Sequence, residues 1–388
     1  MDILALSHLF PNSGAPFNGI FVKERLKYIA RKVNLKVVAP IPIFRGAFLN
    51  KNLNIRKVDE FENFDSLAVY HPRYFRIPKF FKGLDPLFYQ KSLNQFMQKY
   101  LNEKPVDLFD FHWTYPDAIA GLEWAERFNK KIFVTIRGNE AIYYFQNCKQ
   151  RKILKKRLKE FDHIITVSND LKTKIVDEYN VQPVKITVIG NGIDSDKFYH
   201  IDKNKARELC GLDQNRKYIL AVNRLSEEKG IKYLLEAFAG LNDKNTDLII
   251  IGDGPLKNKL QNRSKALKIE RNVIFHDFLS HEQIYKWFNA ADLHCLPSLW
   301  EGCPNVVIEA LACGTPVIST QTGGIPDLVT SEEYGLLVKP GDADALTKAL
   351  SSALHNKWNR PAISEFGRKN SWENVADKVI DVYKKVLQ

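Results

Sequence analysis

The chain has 388 residues, of which 45% are hydrophobic and 26% are charged, so its length favours two domains and its composition is that of a soluble globular protein. No stretch approaches the roughly 18 consecutive apolar residues of a membrane span, and the first residues do not have the pattern of a signal peptide. The net charge of +12 is uneven, because residues 1–200 carry 32 Lys+Arg and 21 Asp+Glu, whereas the other 188 residues carry 25 and 24.

The first half alternates short apolar runs with helical patterns, which is typical of parallel βαβ units. A helix over Ile20–Lys32 places Val22, Leu26 and Ile29 on one face. Because open α/β sheets bind ligands at the carboxyl ends of their strands, the residues after each strand are candidates for a site. The predicted strands are Ile3–Leu6, Leu35–Ala39, Leu67–His71, Leu108–Phe111, Ile132–Ile136, Ile164–Val167 and Ile186–Ile189.

The loop before the first helix contains Gly14 and Gly19 at a Walker-like separation. Ile20 and Phe21 stand where a P-loop has Lys and Ser/Thr, so a P-loop is excluded, and the absence of a G-x-G-x-x-G motif argues against a nicotinamide dehydrogenase. Gly19 could let a substrate approach the backbone closely. The alternative is an ordinary surface loop.

Two further residues follow predicted strands in the first half. His112 ends one strand and precedes a turn, so we expect it on the same edge of the sheet as Gly19. Arg137 ends the next strand and could hold an anion or form a buried salt bridge. The aromatic and basic stretch 51–82 is either a packed loop or part of an acceptor surface.

The densest basic run, residues 149–159, is interrupted by Ile153, Leu154 and Leu158 at helical spacing. Three interpretations are open: a solvated helix face whose leucines pack on the domain, an amphipathic helix resting on anionic lipid, and a nucleic-acid surface. A glycine-rich turn at residues 190–192 then leaves the sheet, which places a domain boundary near residues 195–205.

The second half restarts the alternating pattern and ends in an amphipathic helix over Ser371–Gln388. Arg224 and Lys229 share the loop after its first strand, and both can reach a phosphate. Asp253 lies in a Gly-Asp-Gly-Pro turn and is not part of an Asp-x-Asp metal pair. The predicted strands are Tyr218–Val222, Leu248–Ile251, Val273–Phe275, Leu293–Leu296, Val317–Ser319 and Leu336–Val338.

A turn of small residues opens an apolar helix near residue 304. Pro304 suits the first helical position, and Asn305 and Glu309 share a helix face one turn apart. With Glu301 just before the helix, two carboxylates bracket a helix N-terminus that could bind phosphate. The alternative is a capped core helix with two solvated glutamates. Cys303 fits a small packing residue better than a nucleophile, and the odd number of five cysteines favours reduced thiols.

These motifs resemble the retaining glycosyltransferases of family four over nearly the full length. The opening loop and the Arg-Gly-Asn-Glu segment at 137–140 are similar to the subgroup that builds teichuronic acid, capsule and exopolysaccharide. The resemblance implies a GT-B fold, that is, two Rossmann-like, doubly wound α/β domains with parallel sheets facing a central cleft. The implied domains are residues 1–198 for the acceptor, 199–370 for the nucleotide sugar, and a helix at 371–388 that crosses back onto the first domain.

Roles for single residues also follow from the resemblance. Arg224 and Lys229 would neutralise the leaving diphosphate, Glu309 would hold ribose hydroxyls, Glu301 would hold the transferred hexose, and His112 would lie near its anomeric carbon. The implied catalytic residues are His112, Arg224, Lys229 and Glu301; the donor-binding residues are Gly19, Arg224, Lys229, Gly252, Gly302, Cys303, Pro304, Asn305, Val306 and Glu309; and the acceptor-side residues are Arg137 and Asn139.

The expected activity is transfer of a hexosyl unit, with retention, from a UDP- or GDP-type sugar to a lipid-linked saccharide in cell-surface polysaccharide biosynthesis. No metal and no cofactor is implied. The expected partners are the nucleotide sugar, the saccharide acceptor and an anionic membrane surface, without nucleic acid, at a cytoplasmic, peripheral membrane location. The alternatives are a sugar-nucleotide epimerase or glycan synthase of the same fold, or a non-enzymatic basic protein that binds membrane or nucleic acid.

Overall fold

The structure is a computed structural model that describes residues 1–43, 58–65, 67–77, 82–138 and 148–388. The chain forms two compact units, one of Met1–Asn191 with Trp372–Gln388 and the other of Gly192–Ser371. Among the described residues, no helix combines the length and apolarity needed to cross a membrane.

The described strands and helices alternate along most of the chain. The strands are β1 (Asp2–Leu6), β2 (Asn34–Val38), β3 (Ile41–Ile43), β4 (Phe61–Phe64), β5 (Leu67–Tyr70), β6 (Arg73–Phe75), β7 (Leu108–Phe111), β8 (Lys131–Ile136), β9 (His163–Thr166), β10 (Ile186–Val188), β11 (Lys217–Val222), β12 (Thr246–Ile251), β13 (Val273–His276), β14 (Leu293–Leu296), β15 (Val317–Thr320) and β16 (Gly335–Val338). The helices are α1 (Ile20–Ala30), α2 (Asp85–Glu103), α3 (Ile119–Arg127), α4 (Cys148–Arg157), α5 (Asn169–Tyr179), α6 (Lys203–Cys210), α7 (Ile231–Leu241), α8 (Lys257–Ala266), α9 (His281–Ala290), α10 (Asn305–Ala312), α11 (Ile325–Leu328), α12 (Ala343–His355), α13 (Arg360–Arg368) and α14 (Trp372–Leu387).

The first unit is built on a sheet of eight strands in the order β10-β9-β8-β7-β1-β2-β5-β4. All pairs are parallel except β4 with β5. Alternate residues of β1 enter different cores: Leu4 and Leu6 pack in one cluster, Ile3 and Ala5 in the other. Helices therefore cover both faces of the sheet, as a doubly wound fold requires.

The second unit repeats this plan with six parallel strands in the order β13-β12-β11-β14-β15-β16. Its central strands are apolar on both faces, and every residue of β12 is buried. Leu220 packs in one core cluster and its neighbour Ile219 in the other. The prediction of two α/β units with doubly wound parallel sheets is therefore confirmed.

The last helix, α14, belongs to the first unit although it follows the second in sequence. Its apolar stripe, which includes Val375 and Val379, is buried in the same cluster as Ile3 and Val22. Lys32, just after α1, adds an exposed ion pair of 2.6 Å to Asp377 of α14. The helix thereby closes one layer of the first unit.

Each of the thirteen predicted strands overlaps a strand of the structure, whereas β3, β4 and β6 were not predicted. Strands β4 and β6 lie within the stretch 51–82, and β3, which pairs with β6, is only three residues long with a proline at its centre. The predicted boundary at residue 198 falls inside the second unit, because Ile193 and Phe198 are buried in the core of that unit.

The basic run forms α4. Leu154 and Leu158 are fully buried, whereas Lys152, Lys155 and Lys156 are exposed. The leucines therefore anchor this segment to the first unit, and the lysines leave a positive face in solvent.

Candidate functional site

A cation and a carboxylate meet at the carboxyl edge of the sheet in the second unit. Lys229 lies after β11 and Glu301 lies after β14, and these two strands are neighbours. The Lys229 ammonium donates to Oε1 of Glu301 at 2.6 Å, and the Ser298 hydroxyl donates to the same oxygen at 2.7 Å. Glu301 is only 6% exposed, so this buried carboxylate is paired with the Lys229 ammonium and has little contact with water.

Glycines allow the loops at this edge to approach one another. A Cβ at Gly230, whose φ is 64°, would lie 2.1 Å from the Pro297 carbonyl oxygen. A Cβ at Gly323, whose φ is 55°, would lie 1.8 Å from the carbonyl oxygen of Glu301. The backbone N–H of Gly324 also donates to the carbonyl of Gly302 at 2.9 Å. The loops after β11, β14 and β15 are therefore packed backbone to backbone, which fixes the place of Glu301.

Helix α10 begins directly beyond this loop. The structure corrects the position of Pro304, which is the N-cap residue (φ −76°, ψ 113°) and not the first helical residue; Asn305 is the first. The Pro304 carbonyl accepts from the N–H of Val307 at 3.2 Å. The first N–H groups of a helix lack partners within the helix, so this end can receive an anion.

Glu309 lies one turn into α10 in a different environment from Glu301. It is 5% exposed, and no described residue donates a hydrogen bond to its carboxyl group. Burial raises the pKa of Glu309 to about 8, so the group holds its proton at neutral pH and can both donate and accept hydrogen bonds. The interpretation of two solvated glutamates is wrong, because both side chains are buried.

Three other residues that were predicted to bind the sugar donor follow strands of the same sheet. Arg224 is exposed at the end of β11 and forms no ion pair with a described residue. Gly252, with φ 144°, packs against the carbonyl of Asn223, where a Cβ would lie 2.0 Å away. Cys303 is partly buried, and its thiol is not part of a disulfide. The structure thus joins Lys229 to Glu301 directly and leaves the Arg224 guanidinium in solvent.

In the first unit, His112 is the centre of a buried network. Its Nε2 lies 2.8 Å from Oδ2 of Asp110, and its Nδ1 lies 3.1 Å from a guanidinium nitrogen of Arg137. Arg137 also donates to the side chain of Asn191 at 2.7 Å, and its guanidinium lies 5.1 Å from the ring centre of Phe21. His112 and Arg137 were predicted at one edge of the sheet, and the structure brings them into contact.

The donors and acceptors of this network fix the tautomer of His112. A guanidinium can only donate, so Nδ1 accepts and Nε2–H donates to Asp110. Burial lowers the pKa of His112 to about 4, so the ring is neutral at pH 7. Burial alone would raise the pKa of Asp110, but His112, Arg25 and the Tyr383 hydroxyl outweigh it and hold this pKa at about 2. In this arrangement both ring nitrogens of His112 are engaged within the unit.

The other predicted residues of the first unit are placed as follows. Gly19 precedes α1 with φ 68°, and a Cβ there would lie 2.3 Å from the Leu9 carbonyl oxygen. Close packing on Leu9 therefore already requires a glycine at this position. Asn139 lies outside the described residues, and its acceptor-side role stays a prediction.

Sequence reasoning missed two polar groups next to the same strands. The Tyr383 hydroxyl, on α14, donates to Oδ2 of Asp110 at 2.5 Å, and no local pattern in a C-terminal helix indicates this. His8 follows β1 and contacts Asp117 at 2.7 Å. The position of His8 just after a strand was the available signal, the same one that identified His112.

Both halves of the chain match models of glycosyltransferases. Residues 53–197 match the model for glycosyltransferase family 4, and residues 202–370 match glycosyl transferases group 1. The putative teichuronic acid biosynthesis glycosyltransferase TuaC of Bacillus subtilis is 27% identical over 374 residues, which cover 94% of this chain and 92% of that protein. HepE of Anabaena, solved in complex with UDP-glucose, is 18% identical with a TM-score of 0.74 over 99% of this chain and all of that one.

Other relatives match over shorter spans. The UDP-Gal:alpha-D-GlcNAc-diphosphoundecaprenol alpha-1,3-galactosyltransferase of Escherichia coli is 32% identical over 201 residues, which cover 50% of this chain and 51% of that protein. Several further glycosyltransferases are matched over between 51% and 60% of their own lengths.

The two doubly wound α/β sheets have the architecture of the GT-B fold, and the two halves of the chain match models of glycosyltransferases. The two models, which together match most of the chain, and the relatives above show that the chain belongs to the family-four glycosyltransferases.

Proposed function

We propose that this protein transfers a hexosyl unit, with retention of anomeric configuration, from a UDP- or GDP-type sugar to a lipid-linked saccharide during synthesis of a cell-surface polysaccharide. The observation that carries the proposal is the Lys229–Glu301 pair next to the N-terminus of α10. A sugar diphosphate requires a cation, a carboxylate for its hydroxyls and the N–H groups at the start of a helix.

The leaving group of such a reaction is a nucleoside diphosphate, and stabilising its developing charge is the main catalytic task. Lys229, the N–H groups at the start of α10 and the solvent-exposed Arg224 guanidinium would supply the positive charge. In this proposal the protein groups do what a divalent metal does in other transferases, so turnover persists in EDTA. No cofactor is required.

The two carboxyl groups bind different hydroxyls of the donor. Glu309, neutral and without a hydrogen-bond donor among the described residues, suits the paired hydroxyls of a ribose. Glu301, paired with the Lys229 ammonium, suits hydroxyls of the transferred hexose. We propose displacement from the front face and not a covalent glycosyl-enzyme, because the Glu301 carboxylate is already paired with Lys229.

The acceptor part of the proposal is supported by relatives and by charge. TuaC is named for teichuronic acid biosynthesis, and the E. coli relative acts on a diphosphoundecaprenol-linked sugar. The exposed lysines of α4 would hold the first unit against the anionic inner face of a membrane, where each adds about 1 kcal/mol. The predicted acceptor-side role of Arg137 belongs to this proposal.

Thermal-shift measurements with UDP-, GDP- and ADP-glucose test the donor site. A ligand at 100 times its Kd stabilises the folded protein by about 2.7 kcal/mol, which is readily measured. We expect one nucleotide to stabilise the wild type and to have little effect on Lys229→Ala. Equal stabilisation of both proteins would show that the nucleotide does not bind at this site.

A further inference from the structure

A small cavity in the first unit lies at the carboxyl ends of β1 and β2. Its volume is about 120 Å³, and its wall includes the side chains of His8, Asn18 and Arg76 together with apolar residues such as Phe10 and Ile41. None of the described lining residues is acidic. The cavity is therefore a mixed apolar and hydrogen-bonding recess on a unit whose sheet edge also carries His112.

His8 is held rigidly in the wall of this cavity. Its Nδ1 lies 2.7 Å from Oδ1 of Asp117, and its backbone N–H donates to Oδ2 of the same carboxylate at 2.7 Å. Asp117 is fully buried, and the Trp113 ring packs edge-on against the imidazole with the ring centres 5.6 Å apart. Since Nδ1 is engaged, the polar ring atom that remains for a ligand is Nε2.

Two neighbouring side chains can also form hydrogen bonds with a ligand. Nε of Arg76 is buried without a partner among the described residues. The side-chain amide of Asn18 also lines the cavity. An imidazole nitrogen, an amide and a guanidinium around one recess suit a ligand with several hydroxyl groups, because each hydroxyl both donates and accepts.

We propose that this cavity is a subsite for the acceptor saccharide, in which Nε2 of His8 hydrogen-bonds an acceptor hydroxyl. This inference rests on the proposed function, since it assigns part of the acceptor to a defined place in the first unit. The His8–Asp117 contact orients the ring, and the ring orients the sugar. A purely structural role, in which His8 only ties its loop to Asp117, uses Nδ1 and the backbone alone.

The substitution His8→Asn separates the two roles. An asparagine amide can replace the Nδ1–H donor to Asp117 but offers nothing at the position of Nε2. With undecaprenyl-diphosphate-linked N-acetylglucosamine as acceptor probe, we expect kcat/KM for transfer to fall roughly tenfold, as for one lost hydrogen bond. Thermal stability, UDP affinity and hydrolysis of the nucleotide sugar without acceptor should stay at wild-type values.

Chemical modification gives a second readout on the wild-type protein. Diethyl pyrocarbonate should modify Nε2 of His8, and the acceptor probe should protect it, while modification of the exposed His355 stays unchanged. Unchanged transfer by His8→Asn, or the absence of protection at His8, would overturn the subsite. Failure of the wild type to bind or hydrolyse any nucleotide sugar would contradict the proposed function instead.

Discussion

At the scale of single residues, the second unit holds two buried carboxyl groups that differ in their hydrogen-bond partners. Glu301 receives hydrogen bonds from Lys229 and Ser298, whereas Glu309 receives none from a described residue and has its pKa raised to about 8 by burial. Glu301 is therefore paired with a cation, and Glu309 is neutral at pH 7. Two chemically different hydrogen-bonding groups thus flank one helix N-terminus.

The state of Glu309 predicts a pH-dependent stability difference. Its folded pKa is above the unfolded value, so the folded state binds more protons between about pH 4.5 and pH 8 and loses stability as the pH rises through that window. The side chain of the variant Glu309→Gln cannot ionise. Between these pH values its free energy of unfolding should therefore rise relative to that of the wild type by up to about 1.4 kcal/mol per pH unit.

Urea denaturation at pH 5, 6.5 and 8 measures this difference. Glu365→Gln, at an exposed position of α13, is the matched control and should follow the wild type. A Glu309→Gln difference that does not grow with pH would show that Glu309 ionises normally.

Lys229 predicts an effect on donor turnover. Replacing it by methionine removes the cation from Glu301 and from the proposed diphosphate, so we expect kcat/KM for the donor to fall about 10²- to 10³-fold. Lys257→Met, which removes a partly exposed lysine paired with Asp277, is the control and should change turnover less than twofold. Equal losses in both variants would mean that general surface charge, not this site, governs turnover.

The sequence predicted those residues of the site that directly follow a strand. His112, Arg137, Arg224 and Lys229 each follow a strand, and the structure joins His112 to Arg137. The partner of Lys229 was not predictable, because the contact with Glu301 depends on β11 lying next to β14 across more than 70 residues. The neutral state of Glu309 depends on burial, which no local pattern gives.

At the scale of elements, α14 links the end of the chain to the network around His112. Tyr383 is fully buried and donates to Asp110, which in turn accepts from His112. The sequence predicted the amphipathic helix from its apolar spacing. Its partner in the His112 network could not be predicted, since Asp110 lies 273 positions earlier.

Tyr383→Phe keeps the packing of α14 but removes one donor from a buried carboxylate. We expect the free energy of unfolding to fall by about 1–3 kcal/mol in urea denaturation. Tyr334→Phe, whose ring stacks on Phe366, is the control and should stay within about 0.5 kcal/mol of the wild type. A Tyr383→Phe protein as stable as this control would show that the hydroxyl bond contributes nothing.

Helix α4 predicts salt-sensitive attachment to anionic vesicles. Changing Lys152, Lys155 and Lys156 to glutamine should weaken co-sedimentation with phosphatidylglycerol vesicles about 10²-fold, because each exposed lysine adds about 1 kcal/mol. The control changes three exposed lysines of the second unit, Lys244, Lys265 and Lys268. Equal binding of both variants would exclude α4 as the contact surface.

At the scale of the whole molecule, the chain contains two units of the same architecture. Each unit has a doubly wound sheet with polar side chains at the carboxyl ends of its strands, and α14 returns the chain to the first unit. The alternation of apolar runs and helical patterns predicted this repetition. The edge strands β3, β4 and β6 were not predicted. They are short and partly exposed, so their sequences lack the apolar run or regular alternation that indicates a strand.

The central claim is that the second unit binds a nucleotide sugar and releases the nucleoside diphosphate with protein groups alone. Its most direct test is the release of UDP or GDP from the corresponding glucose donors by the wild-type protein in EDTA. The account predicts release from one of these donors at a rate that EDTA leaves unchanged and that Lys229→Met lowers at least 10²-fold. No release from either donor, or release that stops in EDTA, would contradict it.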